Sequence, residues 1–165
     1  MKGESARGAS GTPGAVADFE DDGRLERLIE VATDAMRRAY APYSQFRVGA
    51  ALLARSGEIV AGCNVENASY PASICAERGA VMAAVARGDR AFDLLVLTTE
   101  AAHPTPPCGQ CRQVLAEFAP DLPIVSVTSD GQMHRWTMTE LLPSPFLPES
   151  LRDRVGGPGS LTDDR

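Results

Sequence analysis

Two short segments constrain this chain more than anything else in it: Cys75-Ala76-Glu77-Arg78 and Pro107-Cys108-Gly109-Gln110-Cys111. Whatever the fold, it must have a reason to place a Cys-x-x-Cys knuckle 33 residues after a third cysteine. Three soft ligands, with one position left to water, is the coordination of a catalytic zinc; a structural zinc normally takes all four positions from protein. Glu77 is the nearby acid such a site needs to move protons to and from that water. Zinc lowers the pKa of a bound water from ~15.7 toward ~7.

The local pattern puts these residues at helix starts. Asp21-Asp22 can cap a helix from about Arg24 to Tyr40, with Leu25, Leu28, Ile29, Ala32, Ala35, Met36 and Ala39 on one side and Pro42 ending it. Phe46 to Ala54 reads as a strand, Ser56-Gly57 as a turn and Glu58 to Cys63 as the hairpin partner. A loop from Asn64 to Ala72 leads to a second helix, Ile74 to Arg87, stopped by Gly88. Phe92 to Thr98 is an apolar run of the kind found in buried central strands. A proline-rich stretch then leads to a third helix, Cys108 to Phe118. Pro123 to Thr128 and Met133 to Thr137 are further strands around Asp130-Gly131, and Thr139 to Leu142 is a brief last helix. The order αββαβαββα predicts an α/β fold: a mixed five-stranded sheet with helices on both faces.

On this reading Cys75 and Cys108 each open a helix, and Cys108 and Cys111 share one face of a first turn. Helix N-termini offer free N–H groups and a positive dipole end, which favour thiolate, the form that binds metal. Three thiolates on one Zn²⁺ leave a net charge of −1 and weaken it as a Lewis acid; the helix ends, and Arg78 donating to the sulfurs, offset part of that.

Other readings of the same residues stay open. Cys108-x-x-Cys111 could be a redox pair. Cys63 could complete a four-cysteine structural site, although a cysteine ending an apolar strand is more often a small buried hydrophobe. His103 reads as a solvent-facing loop histidine, Arg78 as a surface helix arginine, and Glu77 as a carboxylate on a helix dipole.

Length and charge narrow the field. A chain of 165 residues is long enough for one domain with a real core. The folded unit is expected at 21–151, with disordered tails at 1–20 and 152–165. No apolar run is long enough to span a bilayer, and Met1 to Ala17 does not read as a secretory signal. The expected location is therefore cytoplasmic, where clustered cysteines serve metal or catalysis. Net charge is −6, Lys2 is the sole lysine, and the arginines are scattered. A partner such as long nucleic acid would call for a basic stripe, which is missing.

Beyond the zinc motif, longer segments resemble the small homotetrameric zinc-dependent cytidine deaminases. They are Ala41-Pro42-Tyr43-Ser44-Gln45-Phe46-Arg47-Val48-Gly49-Ala50-Ala51, Gly62-Cys63-Asn64-Val65-Glu66-Asn67-Ala68-Ser69-Tyr70-Pro71, Ile74 to Arg78, Pro107 to Gln113, and Leu141-Leu142-Pro143-Ser144-Pro145-Phe146. The resemblance implies a three-layer α/β/α fold, one Zn²⁺ per subunit held by Cys75, Cys108 and Cys111, and Glu77 as proton shuttle. It implies hydrolytic deamination of cytidine and 2′-deoxycytidine, with attack on C4 and with Glu77 protonating N3 and then the leaving amino group. It also implies substrate contacts: Asn64 and Glu66 at the ribose 3′-hydroxyl, Phe46 at the pyrimidine, and the Ala76 N–H at O2. Phe146, Ala68 and Tyr70 are implied to reach a neighbouring subunit's site, so that a homotetramer shares its active sites. Gly79 and Gln110 depart from the family pattern, which commonly has Thr and a small residue there. A deaminase of a cytosine-containing antibiotic such as blasticidin S shares the zinc motifs but departs around Asn64 to Tyr70. A zinc-stabilised interaction module and an editing deaminase of tRNA or DNA are the remaining alternatives.

Overall fold

The computed structural model describes residues 23–152. The expected tail at 1–20 and the capping pair Asp21-Asp22 lie outside the described residues, as does the expected C-terminal tail beyond Arg152.

The first helix, α1, spans Arg24–Arg37 and buries Leu25, Leu28, Ala32, Ala35 and Met36 as one stripe. Gly23 is its N-cap and makes no side-chain cap bond. The helix stops short of the expected Tyr40. Tyr40 instead donates its N–H to Asn64 O at 3.0 Å and accepts from the Glu66 N–H at 2.8 Å. Two long-range backbone bonds thus take the place of a last helical turn, a tertiary override of local propensity.

The strands are β1 (Val48–Ala54), β2 (Ile59–Cys63), β3 (Phe92–Thr99), β4 (Pro123–Thr128) and β5 (Met133–Thr137). They form one mixed sheet in the order β2-β1-β3-β4-β5, with β3 and β4 parallel and the other neighbours antiparallel. β3 is central, as its unbroken apolar run predicts. β1 begins at Val48 instead of Phe46 because Phe46 lies on the loop that leads into the sheet.

The pleat sorts side chains into two cores. Ala51, Leu53, Leu94, Val96 and Val125 pack against α1. Ala50, Leu52, Leu95, Leu97 and Ile124 pack against α2 (Ala76–Ala86) and α3 (Gly109–Phe118) on the other face. The result is the expected three-layer α/β/α arrangement. A short α4 (Met138–Leu141) is held by a Thr137–Glu140 capping box. The sequence reading missed the 3₁₀ turn at Tyr70–Ala72 and the terminal helix α5 (Pro148–Arg152), which runs one residue beyond the expected boundary at Leu151.

Candidate active site

Cys75 and Cys108 are the N-cap residues of α2 and α3, both with extended backbone. Cys111 lies inside the first turn of α3 and is fully buried. The Cys75 and Cys108 sulfurs are 3.8 Å apart, those of Cys108 and Cys111 3.5 Å, and all three lie within 4.8 Å of one another. A tetrahedral zinc with Zn–S bonds of about 2.3 Å sets its sulfurs about 3.8 Å apart, so the donor set and its spacing fit the ion. All of these cysteines are free thiols. A simple redox pair leaves the third sulfur at the same point unexplained.

Hydrogen bonding favours the thiolate, the metal-binding form, at Cys75 and opposes it at Cys111. The hydrogen bond from Cys111, with further donation from Arg78 and Cys108, pulls the Cys75 thiol down to about 5. Cys111 is pushed up, first because it donates to Cys75 and then by burial and the nearby Glu77. Arg78 donates through Nη2 to the Ser73 carbonyl at 3.0 Å and to Cys75 Sγ at 3.7 Å. It is therefore tied to the sulfur cluster and not a free surface arginine. Arg112 braces the knuckle from behind, donating to the Pro107 and Leu141 carbonyls at 2.7 and 2.8 Å.

Glu77 is only 5% exposed. Burial, followed by the charge of Cys75, raises its pKa. A carboxyl shifted upward by burial is better matched to general acid–base work than an ordinary exposed one.

Cys63 stands apart. It pairs with Gly49, whose missing side chain would run into Ala32 of α1. Residues directly opposite in a ladder share a face, so Cys63 points to the α1 side, away from the cluster on the α2 side. This excludes the four-cysteine reading. His103 is exposed, as expected of a loop histidine.

The cluster opens into a cleft of about 220 Å³ that includes Phe46, Asn64, Glu66, Cys75, Ala76 and Glu77 in its wall. Ala76 is the first residue of α2, where backbone N–H groups have no intrahelical partner. Asn64 is already at work: its Nδ2 donates to the Phe46 carbonyl at 2.9 Å, and its Oδ1 accepts from the Val48 N–H at 2.8 Å. Glu66 accepts from the N–H groups of Tyr43 and Ser44 at 2.9 and 3.1 Å, and from the Ser44 hydroxyl. These bonds, that of the Ser44 hydroxyl foremost, hold its carboxyl below the usual range.

Three expected contacts do not line this cleft. Ala68 is exposed. Tyr70 is 72% exposed and borders an adjacent hollow with Tyr43, Ser44, Glu66 and Ser73. Phe146 is 58% exposed, with its backbone N–H and carbonyl both bonded to the Gln113 side chain. A larger hollow of about 610 Å³ runs along α1 and β2. Arg27 pairs with Glu30 and Arg37 with Asp34 along its helix wall, which Arg38 also lines, and no metal-binding cluster of the described residues lies in it.

The sequence reading missed Ser44, Thr99 and Thr105 as cleft residues. Thr99 had a usable signal. It ends β3, and sites in sheets with parallel strands collect at the carboxyl ends of those strands. Thr105 and Ser44 had none, since both act from loops placed by distant contacts.

Comparison with known proteins agrees with this geometry. Residues 23–126 match the family model for the cytidine and deoxycytidylate deaminase zinc-binding region. A cytidine deaminase of Sporosarcina psychrophila is 44% identical over 128 residues, covering 77% of this chain and 94% of that one. Another, from Halalkalibacterium halodurans, is 42% identical over 129 residues, covering 78% and 98%. The crystal structure of a cytidine deaminase from Burkholderia pseudomallei superposes with a TM-score of 0.71 at 44% identity, covering 73% of this chain and 98% of that one. With a zinc-fitting thiol cluster beside a buried glutamate on a three-layer sheet, and relatives that match over nearly their whole length, this chain belongs to the cytidine and deoxycytidylate deaminase family.

Proposed function

We propose that this chain is a zinc-dependent hydrolytic deaminase that converts cytidine and 2′-deoxycytidine to uridine and 2′-deoxyuridine, releasing ammonia. The observation that carries this reading is that Glu77, the cysteine cluster, Asn64 and Glu66 meet at one cleft. Cys75, Cys108 and Cys111 are the residues that would hold zinc. When bound, zinc supplies the Lewis acid that makes water a nucleophile near neutral pH.

The chain's own groups do the rest. Glu77 takes a proton from the attacking water and passes it to N3 as the O–C4 bond forms. It then moves the hydroxyl proton to the amino nitrogen, the C4–N bond breaks and ammonia leaves. The raised pKa of Glu77 suits it to both directions of transfer. The Ala76 N–H, at the positive end of α2, binds the pyrimidine O2. Phe46 packs on the ring. Asn64 keeps one donor and one acceptor site free of its backbone bonds, and ionised Glu66 keeps one acceptor site for a hydroxyl. A carboxylate at that end accepts well from a hydroxyl and would repel a phosphate placed there.

The family resemblance supports a homotetramer with shared sites. Tyr70 and Phe146 are large, exposed and outside their own chain's cleft, as residues that serve a neighbouring subunit would be. Ala68 belongs to the same set. A cytoplasmic role in pyrimidine salvage by one domain spanning 21–151, without long nucleic acid as partner, completes the reading. No helix among the described residues is long and apolar enough to cross a membrane.

Zinc analysis of the purified chain combined with an absorbance assay on free cytidine tests the proposal. Stoichiometric zinc with turnover of cytidine well above that of blasticidin S is expected. Zinc-loaded protein inert toward free nucleosides overturns it.

A further inference from the structure

We propose that Ser44 is a positioning residue: its hydroxyl fixes the ribose-facing carboxylate of Glu66 to the backbone that carries Phe46. The hydroxyl donates to Glu66 Oε1 and accepts from the Phe46 N–H at 3.0 Å. One side chain thus connects the group proposed to hold the sugar with the one proposed to hold the base. This inference rests on the proposed role of Glu66.

The surrounding backbone shows why such a tie is needed. Between the Tyr40–Val65 bridge and the start of β1, residues 41–47 have no strand partner. Gln45, between the two ends of the Ser44 tie, sits at φ 54, a left-handed conformation that a non-glycine residue holds only when its surroundings enforce it. The Gln45 N–H bond to Ala41 O at 3.1 Å closes the turn. Glu66 Oε2 takes the N–H groups of Tyr43 and Ser44 on the same loop.

A carboxylate has about four acceptor sites. Here one is filled by the Ser44 hydroxyl and two by backbone N–H groups. The anion is left with a single free direction, which suits one incoming hydroxyl donor. The depressed pKa of Glu66, whose largest cause is the Ser44 hydroxyl, agrees with a permanently ionised acceptor.

The test compares kcat/KM for cytidine and for 3′-deoxycytidine, which lacks the hydroxyl that Glu66 accepts, in the zinc-loaded full chain. Ser44→Ala is expected to lower kcat/KM for cytidine about tenfold, the scale of a hydrogen bond to a charged group, mostly through KM. The loss on 3′-deoxycytidine is expected to be clearly smaller, with zinc content unchanged. Ser44→Thr, which keeps the hydroxyl, is expected to restore the wild-type ratio. Glu66→Gln is the control and is expected to lose most of the discrimination between the two substrates. Equal losses on both substrates in Ser44→Ala, beside an effective Glu66→Gln control, overturn the role of Ser44 alone. Full discrimination in Glu66→Gln overturns the ribose contact and this inference with it. Should Ser44→Ala fold poorly, a Ser44→Thr enzyme whose ratio resembles that of Glu66→Gln is equally fatal.

Discussion

Gly62 on β2 lies so close to Ala76 on α2 that a Cβ at position 62 would stand 2.3 Å from the Ala76 carbonyl oxygen and 2.4 Å from the Ala80 nitrogen. Both are helix backbone atoms and cannot swing aside. The first turn of α2, which carries Cys75 and Glu77, therefore sits where it does because residue 62 has no side chain. Gly62→Ala must push that turn off β2 and so disturb the spacing of Cys75 from Cys108. We expect a loss of about 1–3 kcal/mol, as for overpacking elsewhere, together with reduced zinc retention. Thermal melts and metal analysis check this. Gly79→Ala is the contrast: its Cβ would meet nothing nearer than the Cys63 carbonyl at 3.5 Å, an ordinary contact. Removing a helical glycine there is expected to stabilise by roughly 0.5–1 kcal/mol.

Glu77→Gln preserves shape and burial but cannot carry a proton. Turnover is expected to fall by ~10²–10⁴, the range for losing a general acid–base, while zinc stays bound. Near wild-type turnover in this variant would remove Glu77 from the mechanism.

Arg78 holds the Ser73 carbonyl and the Cys75 sulfur with one guanidinium nitrogen. Arg78→Ala is expected to weaken zinc retention or activity by roughly 10–100-fold, as for other partners of metal ligands. Arg78→Lys should recover only part of this, because a point charge on a flexible stem does not reproduce the planar donor. Chelator competition beside steady-state rates separates the two effects.

Metal loading should be proton-linked. Cys111 keeps its proton in the metal-free chain because it donates to Cys75 and is buried. Zinc needs the thiolate, so loading at neutral pH expels that proton and affinity falls as pH falls. Cys75, already drawn down to about 5, contributes little to the release above that pH. Calorimetric titration in buffers of different ionisation enthalpy should show net proton release, and a pH-independent affinity between 5.5 and 8 would contradict it.

How much was visible beforehand differs from element to element. Strands β4 and β5 follow from local pattern, and β3 extends its expected run by one residue to Thr99. The helix starts near Cys75 and Cys108, expected at about Ile74 and Cys108, were legible to within two residues because a loop followed by an apolar repeat is local information. The end of α1 was not: nothing between Arg38 and Tyr40 announces that Tyr40 will bond to Asn64 and Glu66. The same is true of Ser44, whose bond to Glu66 joins residues 22 positions apart.

By itself the sequence determined the donor chemistry: three thiols, a glutamate and an arginine at spacings that suit helix starts. It also determined the alternation of strands and helices, since periodicity and caps act within a few residues. Tertiary structure alone decided which cysteine stays out, because the pleat turns Cys63 toward α1. It decided how near α2 comes to the sheet, through Gly62, and how Glu66 is held, through Ser44. Each of these depends on contacts between segments far apart along the chain, and only packing the layers together brings such segments within ångströms of each other.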